Sequence, residues 1–79
     1  MRLRDVDDLW SLTASAPWRP LPARTLETLT FTTPDGGELE VPPHTPVELS
    51  YDDAAEHWTA WAGHEGFRVV DDVTAFSVG

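Results

Sequence analysis

Hydrophobic and polar residues change their spacing along the chain, and each change predicts a different element. Near the N-terminus, four residues recur at the i, i+3, i+4 and i+7 spacing of one helix face: Val6, Leu9, Trp10 and Thr13. Asp5 can cap this helix, and Asp7 and Asp8 lie in the first turn, where the helix dipole favours negative charge. The pattern predicts a short N-terminal helix within residues 1–15.

Residues 16–24 are rich in proline and predict an extended connector. Pro17, Pro20 and Pro22 exclude a helix, and proline cannot donate the hydrogen bond that a central strand requires. The spacing of Pro17 and Pro20 also fits a PxxP ligand in the polyproline II conformation. Two interpretations of Trp18 stay open: it packs into the core, or it stays exposed beside Arg19 as an interface anchor.

From residue 25 the spacing changes to the alternation of a strand. Leu29 and Phe31 point to one side, while the threonines between them suit a half-exposed, pleated surface. A proline–aspartate–glycine–glycine turn follows at residues 34–37, and Leu39 and Val41 alternate with glutamates after it. This segment predicts a β-hairpin.

A second amphipathic helix is predicted from about residue 51 to Ala62, with Ser50 as its N-cap and Gly63 ending it. Its apolar face would hold the aromatic and alanine residues of the segment, and its polar face would carry Asp52, Asp53 and Glu56. Residues 67–70 and 73–78 then predict two C-terminal strands.

The order of these elements predicts an α+β fold in a single domain over residues 1–79. Residues 25–79 would form the main unit, a small sheet with the second helix packed across it. The hairpin, helix and strand order resembles the β-grasp arrangement in outline.

The charge of the chain limits its partners. Five arginines and no lysine face fourteen carboxylates, which gives a net charge of −9. A chain with this field disfavours direct binding to nucleic acid or to an anionic membrane, so a protein with a basic surface is the expected partner. The joint absence of Lys, Asn and Ile also indicates a GC-rich genome, such as that of an actinobacterium or its phage.

Candidate catalytic and metal-binding chemistry is sparse. The chain has no cysteine, which excludes disulfides, thiolate metal sites and a cysteine nucleophile. His57 and His64 are seven residues apart rather than at the three- or four-residue spacing of helical zinc ligands, and His44 lies in a proline-rich loop. The serines have no nucleophile motif around them. We therefore expect no catalytic residues, no metal and no cofactor.

The sequence predicts a small, acidic, non-enzymatic protein-binding module, a phage or actinobacterial regulator or inhibitor of a host protein. Its partner-binding residues would be Trp18 and Arg19, with Asp52, Asp53 and Glu56 as an acidic rim. Two alternatives stay open: a structural or virion assembly subunit that pairs through the edge of its last strand, and a DNA-mimic inhibitor of a nucleic-acid-binding protein. No signal peptide or membrane span is visible, the expected location is the cytoplasm, and a homo-oligomer is possible.

Overall fold

The computed structural model describes residues 1–14, 16 and 18–79. Within these residues the chain forms one α-helix, α1 (Val6–Leu12), and seven strands. The strands are β1 (Leu21–Thr25), β2 (Leu29–Thr32), β3 (Glu38–Val41), β4 (Pro46–Asp52), β5 (His57–Ala62), β6 (Gly66–Val69) and β7 (Phe76–Ser77).

All seven strands belong to one antiparallel sheet that curls into a half-barrel, in the order β3-β2-β6-β5-β4-β1-β7. The prediction of an α+β fold with two helices is therefore wrong, because the described residues contain a single short helix. The β-grasp outline fails with it, since it required a helix between the hairpin and the C-terminal strands.

The two faces of the sheet differ in burial. One face, here called the inner face, buries alternate residues of most strands and forms the core: Leu29, Phe31, Val41, Val47, Leu49, Trp58, Ala60 and Phe76. The other face, here called the outer face, carries the residues between them. This period of two is the ordinary consequence of a pleated strand with one face against a core.

The predicted N-terminal helix is confirmed as α1, together with its cap. The Asp5 carboxylate accepts a hydrogen bond from the Asp8 N–H at 3.3 Å. Leu9 is fully buried, and the Trp10 ring packs 4.8 Å from Tyr51 and 5.1 Å from Trp58 between ring centroids. This aromatic cluster holds the helix against the inner face at β4 and β5.

Asp8 is more buried than its polar character suggests, because Arg4 folds over it. The Arg4 guanidinium donates to both carboxylate oxygens, at 3.0 and 3.2 Å, and the Arg4 backbone N–H donates a third bond at 2.9 Å. These bonds from Arg4 hold the pKa of the Asp8 carboxyl below its usual range.

The predicted hairpin is confirmed as β2 and β3, in the register Leu29↔Val41 and Phe31↔Leu39. Its turn depends on Asp35, whose carboxylate accepts from the Thr33 hydroxyl and, at 3.1 Å, from the Gly37 N–H. These two bonds lower the pKa of the Asp35 carboxyl, and the bond from Thr33 has the larger effect. Gly36 supplies the positive φ that closes the turn.

The predicted second helix is wrong, and its residues form the end of β4, a turn and β5. The Asp52 carboxylate accepts bonds from the N–H groups of Ala54 and Ala55, at 3.0 and 3.2 Å, and so closes a turn in place of a helix. Glu56 completes the turn in the left-handed region, at φ 58°. Residues 57–62 then form a central strand between β4 and β6.

The predicted connector over residues 16–24 extends into the sheet, because β1 begins within it at Leu21. Pro22 pairs with Glu48 of β4. On its other side β1 pairs with β7 only at Arg24 and Thr25, so proline lies where a strand has a single neighbour.

The predicted C-terminal strands are confirmed in part. Residues 66–69 form β6, whereas Val73–Ala75 form a 3-10 turn that leaves only Phe76–Ser77 as β7. Arg2 bridges to Ser77, and the Val78 N–H donates to the Met1 carbonyl, so the N-terminal residues lie along β7. Within the described part of the chain, no helix has the length and apolar character to cross a bilayer.

Candidate binding surface

A continuous row of outer-face residues crosses six of the seven strands. Each residue is the direct Cα partner of the next, from β3 through β2, β6, β5 and β4 to β1. This central row consists of Glu38, Thr32, Phe67, Trp61, Glu48 and Pro22. At the usual spacing of about 4.8 Å between strands, it spans roughly 24 Å.

Two aromatic side chains lie in the middle of the central row. The ring centroids of Trp61 and Phe67 are 5.4 Å apart, and their planes are tilted by 39°. Trp61 is 44% exposed although it belongs to a central strand, and Val69, on the same face of β6, is 45% exposed. Exposed aromatic residues on a rigid strand contribute contact area with little loss of side-chain freedom on binding.

Cavities flank Trp61 on both sides. A groove of about 520 Å³ runs over β1, β4 and β5 and is lined by Trp61, Glu48, Arg24 and the two prolines Pro22 and Pro46. A smaller cavity of about 220 Å³ lies on the other side, against Phe67 and the turn at residues 63–65. Trp61 therefore lines both cavities, so a partner that fills them would contact the Trp61 side chain from two sides.

Carboxylates surround this apolar centre. Glu38, Glu40, Glu48 and Asp52 all alternate onto the outer face and are exposed. Of the ion pairs found among the described residues, Arg4–Asp8 and Arg68–Asp71, neither involves these four side chains. The guanidinium of Arg24 donates to the His44 carbonyl at 3.2 Å, at the margin of the groove. The outer face thus combines an aromatic centre with a mainly negative margin.

The residues predicted to bind a partner lie toward one end of the sheet, and Asp52 among them also belongs to the acidic margin of the outer face. Trp18 is 66% exposed and Arg19 is exposed beside it, so Trp18 does not pack into the core. Asp52 is the last residue of β4, and Asp53 and Glu56 belong to the β4–β5 turn, so the three carboxylates do not share a helix face. The register Leu21↔Leu49 brings the chain into β1 at the end of the sheet where β4 ends, so both groups lie toward that end. The PxxP prediction depends on Pro17, which lies outside the described residues.

The three histidines are separated. His57 begins β5, with its Nδ1 3.4 Å from the Thr59 hydroxyl, while His64 lies in the β5–β6 turn and His44 before β4. Among residues 1–14, 16 and 18–79, no three His, Asp or Glu side chains lie close enough to hold a metal ion.

Sequence reasoning missed Trp61, Phe67 and Glu48 as surface residues. Trp61 was assigned to the apolar face of a helix together with Trp58, but a separation of three residues places them on opposite faces of a strand. The available signal was the strict alternation of residues 46–51, which predicts a strand entering this region.

Comparison with protein-family models, with curated proteins and with solved structures gave no match to this chain.

Proposed function

We propose that this chain is a non-catalytic protein-binding module that docks a basic partner on the outer face of its sheet. The observation that carries the proposal is the Trp61–Phe67 pair, with Trp61 exposed and Phe67 half-buried, at the centre of a face whose margin is acidic. Interfaces gain most of their affinity from aromatic residues near the centre, and charged margins mainly accelerate association with partners of opposite charge.

The acidic margin favours a basic partner over a second copy of the chain. Two outer faces packed together would bring at least Glu38, Glu40, Glu48 and Asp52 of each copy into one interface, in molecules that each carry a net charge of −9. Such like-charge contacts oppose association. A basic host protein in the cytoplasm, bound by this chain as its regulator or inhibitor, would instead place positive charge against the acidic margin.

The other two functions have weaker support. A DNA mimic needs closely spaced negative charges along one line, whereas in the central row the aromatic pair and Thr32 separate Glu38 from Glu48 by about 19 Å. An assembly subunit that pairs through its last strand needs a free edge there, and Arg2 already bridges to Ser77.

The test begins with capture of proteins from an extract of the source cells, followed by calorimetry with the purified partner. Trp61→Ala should weaken binding by about 2 kcal/mol or more, as expected for a central aromatic anchor. Because Trp61 is nearly half exposed, the fold should survive, which circular dichroism verifies. Raising the salt concentration should slow association.

Trp18→Ala is the matched control, since it removes an exposed tryptophan that lies in the connector and away from the outer face. If Trp18→Ala abolishes binding while Trp61→Ala has no effect, the partner docks at the end of the sheet and the outer face is not the interface. Dimerisation of the chain through Trp61 in sedimentation experiments would replace the basic partner by a second copy.

A further inference from the structure

The groove beside Trp61 has a defined chemistry, because one carboxylate faces it next to the indole. Glu48 and Trp61 are direct Cα partners on neighbouring strands and share the outer face. Opposite residues in an antiparallel pair have their Cβ atoms about 5 Å apart, and both side chains line the same groove of about 520 Å³.

We propose that this groove binds an arginine side chain of the partner, with the guanidinium stacked on the Trp61 indole and paired with the Glu48 carboxylate. The inference rests on the proposed function and names the group that the outer face recognises. A guanidinium can stack on an aromatic face and donate in its own plane to a carboxylate, which suits an indole with an acid beside it.

The remaining lining of the groove supports this ligand. Pro22 and Pro46 provide apolar walls of fixed shape on which the three-carbon stem of arginine can lie. Among the described residues, Glu48 has no cation within 4 Å, so its charge is available to a ligand. Arg24 lies at the margin with its guanidinium on the His44 carbonyl, diagonal to Glu48 in the register. Trp61 and Glu48 together therefore offer a guanidinium both an aromatic face and an unpaired side-chain carboxylate.

The direct test titrates the intact chain with N-acetyl-arginine amide and follows backbone and indole N–H signals by NMR. The signals of the Trp61 indole and of residues around Glu48 should shift with millimolar affinity. N-acetyl-citrulline amide, which has nearly the same shape without the charge, should leave them in place. Equal shifts with both compounds would overturn the proposal.

Two variants locate the charge. Glu48→Gln should weaken binding of the arginine amide by up to about 5-fold, the range expected from the loss of one exposed ion pair. Glu40→Gln is the matched control, since it removes a carboxylate from the same face but outside the groove, and it should have no effect. Equal weakening by both variants would show attraction to net charge alone and contradict a defined site.

The outcomes separate this inference from the proposed function. A purified partner that needs Trp61 but binds equally well to Glu48→Gln would leave the docking face in place and overturn the arginine site. Shifts that centre on Trp18 or on the turn at residues 52–56 would also overturn it, because the cation would then bind at the other end of the sheet.

Discussion

Replacing Glu56 by glycine should change the stability of the chain in opposite directions in the two alternatives, the turn in the structure and the helix that the hydrophobic spacing predicts. Its backbone lies in the left-handed region at φ 58°, and its N–H donates to the Asp52 carbonyl at 2.7 Å. This region costs a residue with a Cβ about 1–2 kcal/mol, and glycine is free of that strain. Glu56→Gly should therefore relieve strain.

The net gain is smaller than the strain, because glycine also increases the entropy of the unfolded chain. This entropy offsets roughly 0.5–1 kcal/mol of the relieved strain, so Glu56→Gly should stabilise the fold by about 0.5–1 kcal/mol. In a helix over residues 51–62 the same substitution would instead cost about 0.5–1 kcal/mol. The two structures thus predict opposite signs.

Thermal and urea unfolding, followed by circular dichroism and tryptophan fluorescence, measure this difference. A gain of this size should raise the Tm by about 3–6 °C in a domain of this length. Glu65→Gly is the matched control, because Glu65 is an exposed turn glutamate outside the left-handed region and its replacement removes the same charge. It should be neutral or slightly destabilising.

Gly63 gives the reciprocal substitution. Its φ is 59°, and a Cβ added there would meet no atom within 4 Å. Gly63→Ala should therefore lower the free energy of unfolding by about 1 kcal/mol through backbone conformation alone. If Glu56→Gly lowered the Tm as much as Glu65→Gly does, the left-handed turn at Glu56 would be refuted.

Three further predictions concern the core and the helix. Because the bonds from Arg4 lower the folded-state pKa of Asp8, their stabilisation is present above the usual aspartate pKa of about 4 and is lost as the pH falls through the lower folded value. Asp8→Asn should therefore reduce the fall in urea midpoint between pH 5 and pH 2, and an unchanged fall would contradict this role. Gly66→Ala should cost about 1–3 kcal/mol in urea unfolding, since its Cβ would lie 3.0 Å from the Thr32 carbonyl oxygen, and a neutral result would show that β2 and β6 are not packed so closely. Trp58→Phe removes some ring volume, but it also removes a buried Nε1–H that has no hydrogen-bond partner among the described residues. It should therefore lower the free energy of unfolding by less than about 1.5 kcal/mol, as measured by thermal unfolding. A loss above about 3 kcal/mol would indicate that this N–H is hydrogen-bonded.

The hairpin and the first helix could be predicted because their signals are local. The turn at residues 34–37 contains proline, aspartate and glycine in adjacent positions. Asp5 caps the first helix through a bond from the N–H of Asp8, only three residues further along the chain. The segment 51–62 could not be assigned in the same way. The spacing of Tyr51, Trp58 and Ala62 fits a helix. Residues 57–62 lack the alternation of a half-buried strand, because Thr59 on the outer face is buried while Trp61 on the same face is exposed.

The candidate site was beyond sequence reasoning because it depends on register across the sheet. Trp61 and Phe67 become neighbours only through the pairing of β5 with β6, and Glu48 joins them only through β4. The charge of the chain, by contrast, could be read directly from the sequence, and its preference for a basic partner remains a prediction.

The pairing of residues 1–3 with residues 76–78 has a consequence for the kinetics of folding. Strands β4, β5 and β6 follow one another through short turns, so this meander can form soon after it is synthesised. β1 is synthesised before either of its neighbours, and the contact between Met1 and Val78 joins residues 77 positions apart. A growing chain therefore keeps β1 unpaired until β4 emerges, and the edge formed by β7 is closed last. Sheets built from such distant contacts fold slowly, in milliseconds to seconds, and during that interval the open edge is where the chain is most exposed to aggregation.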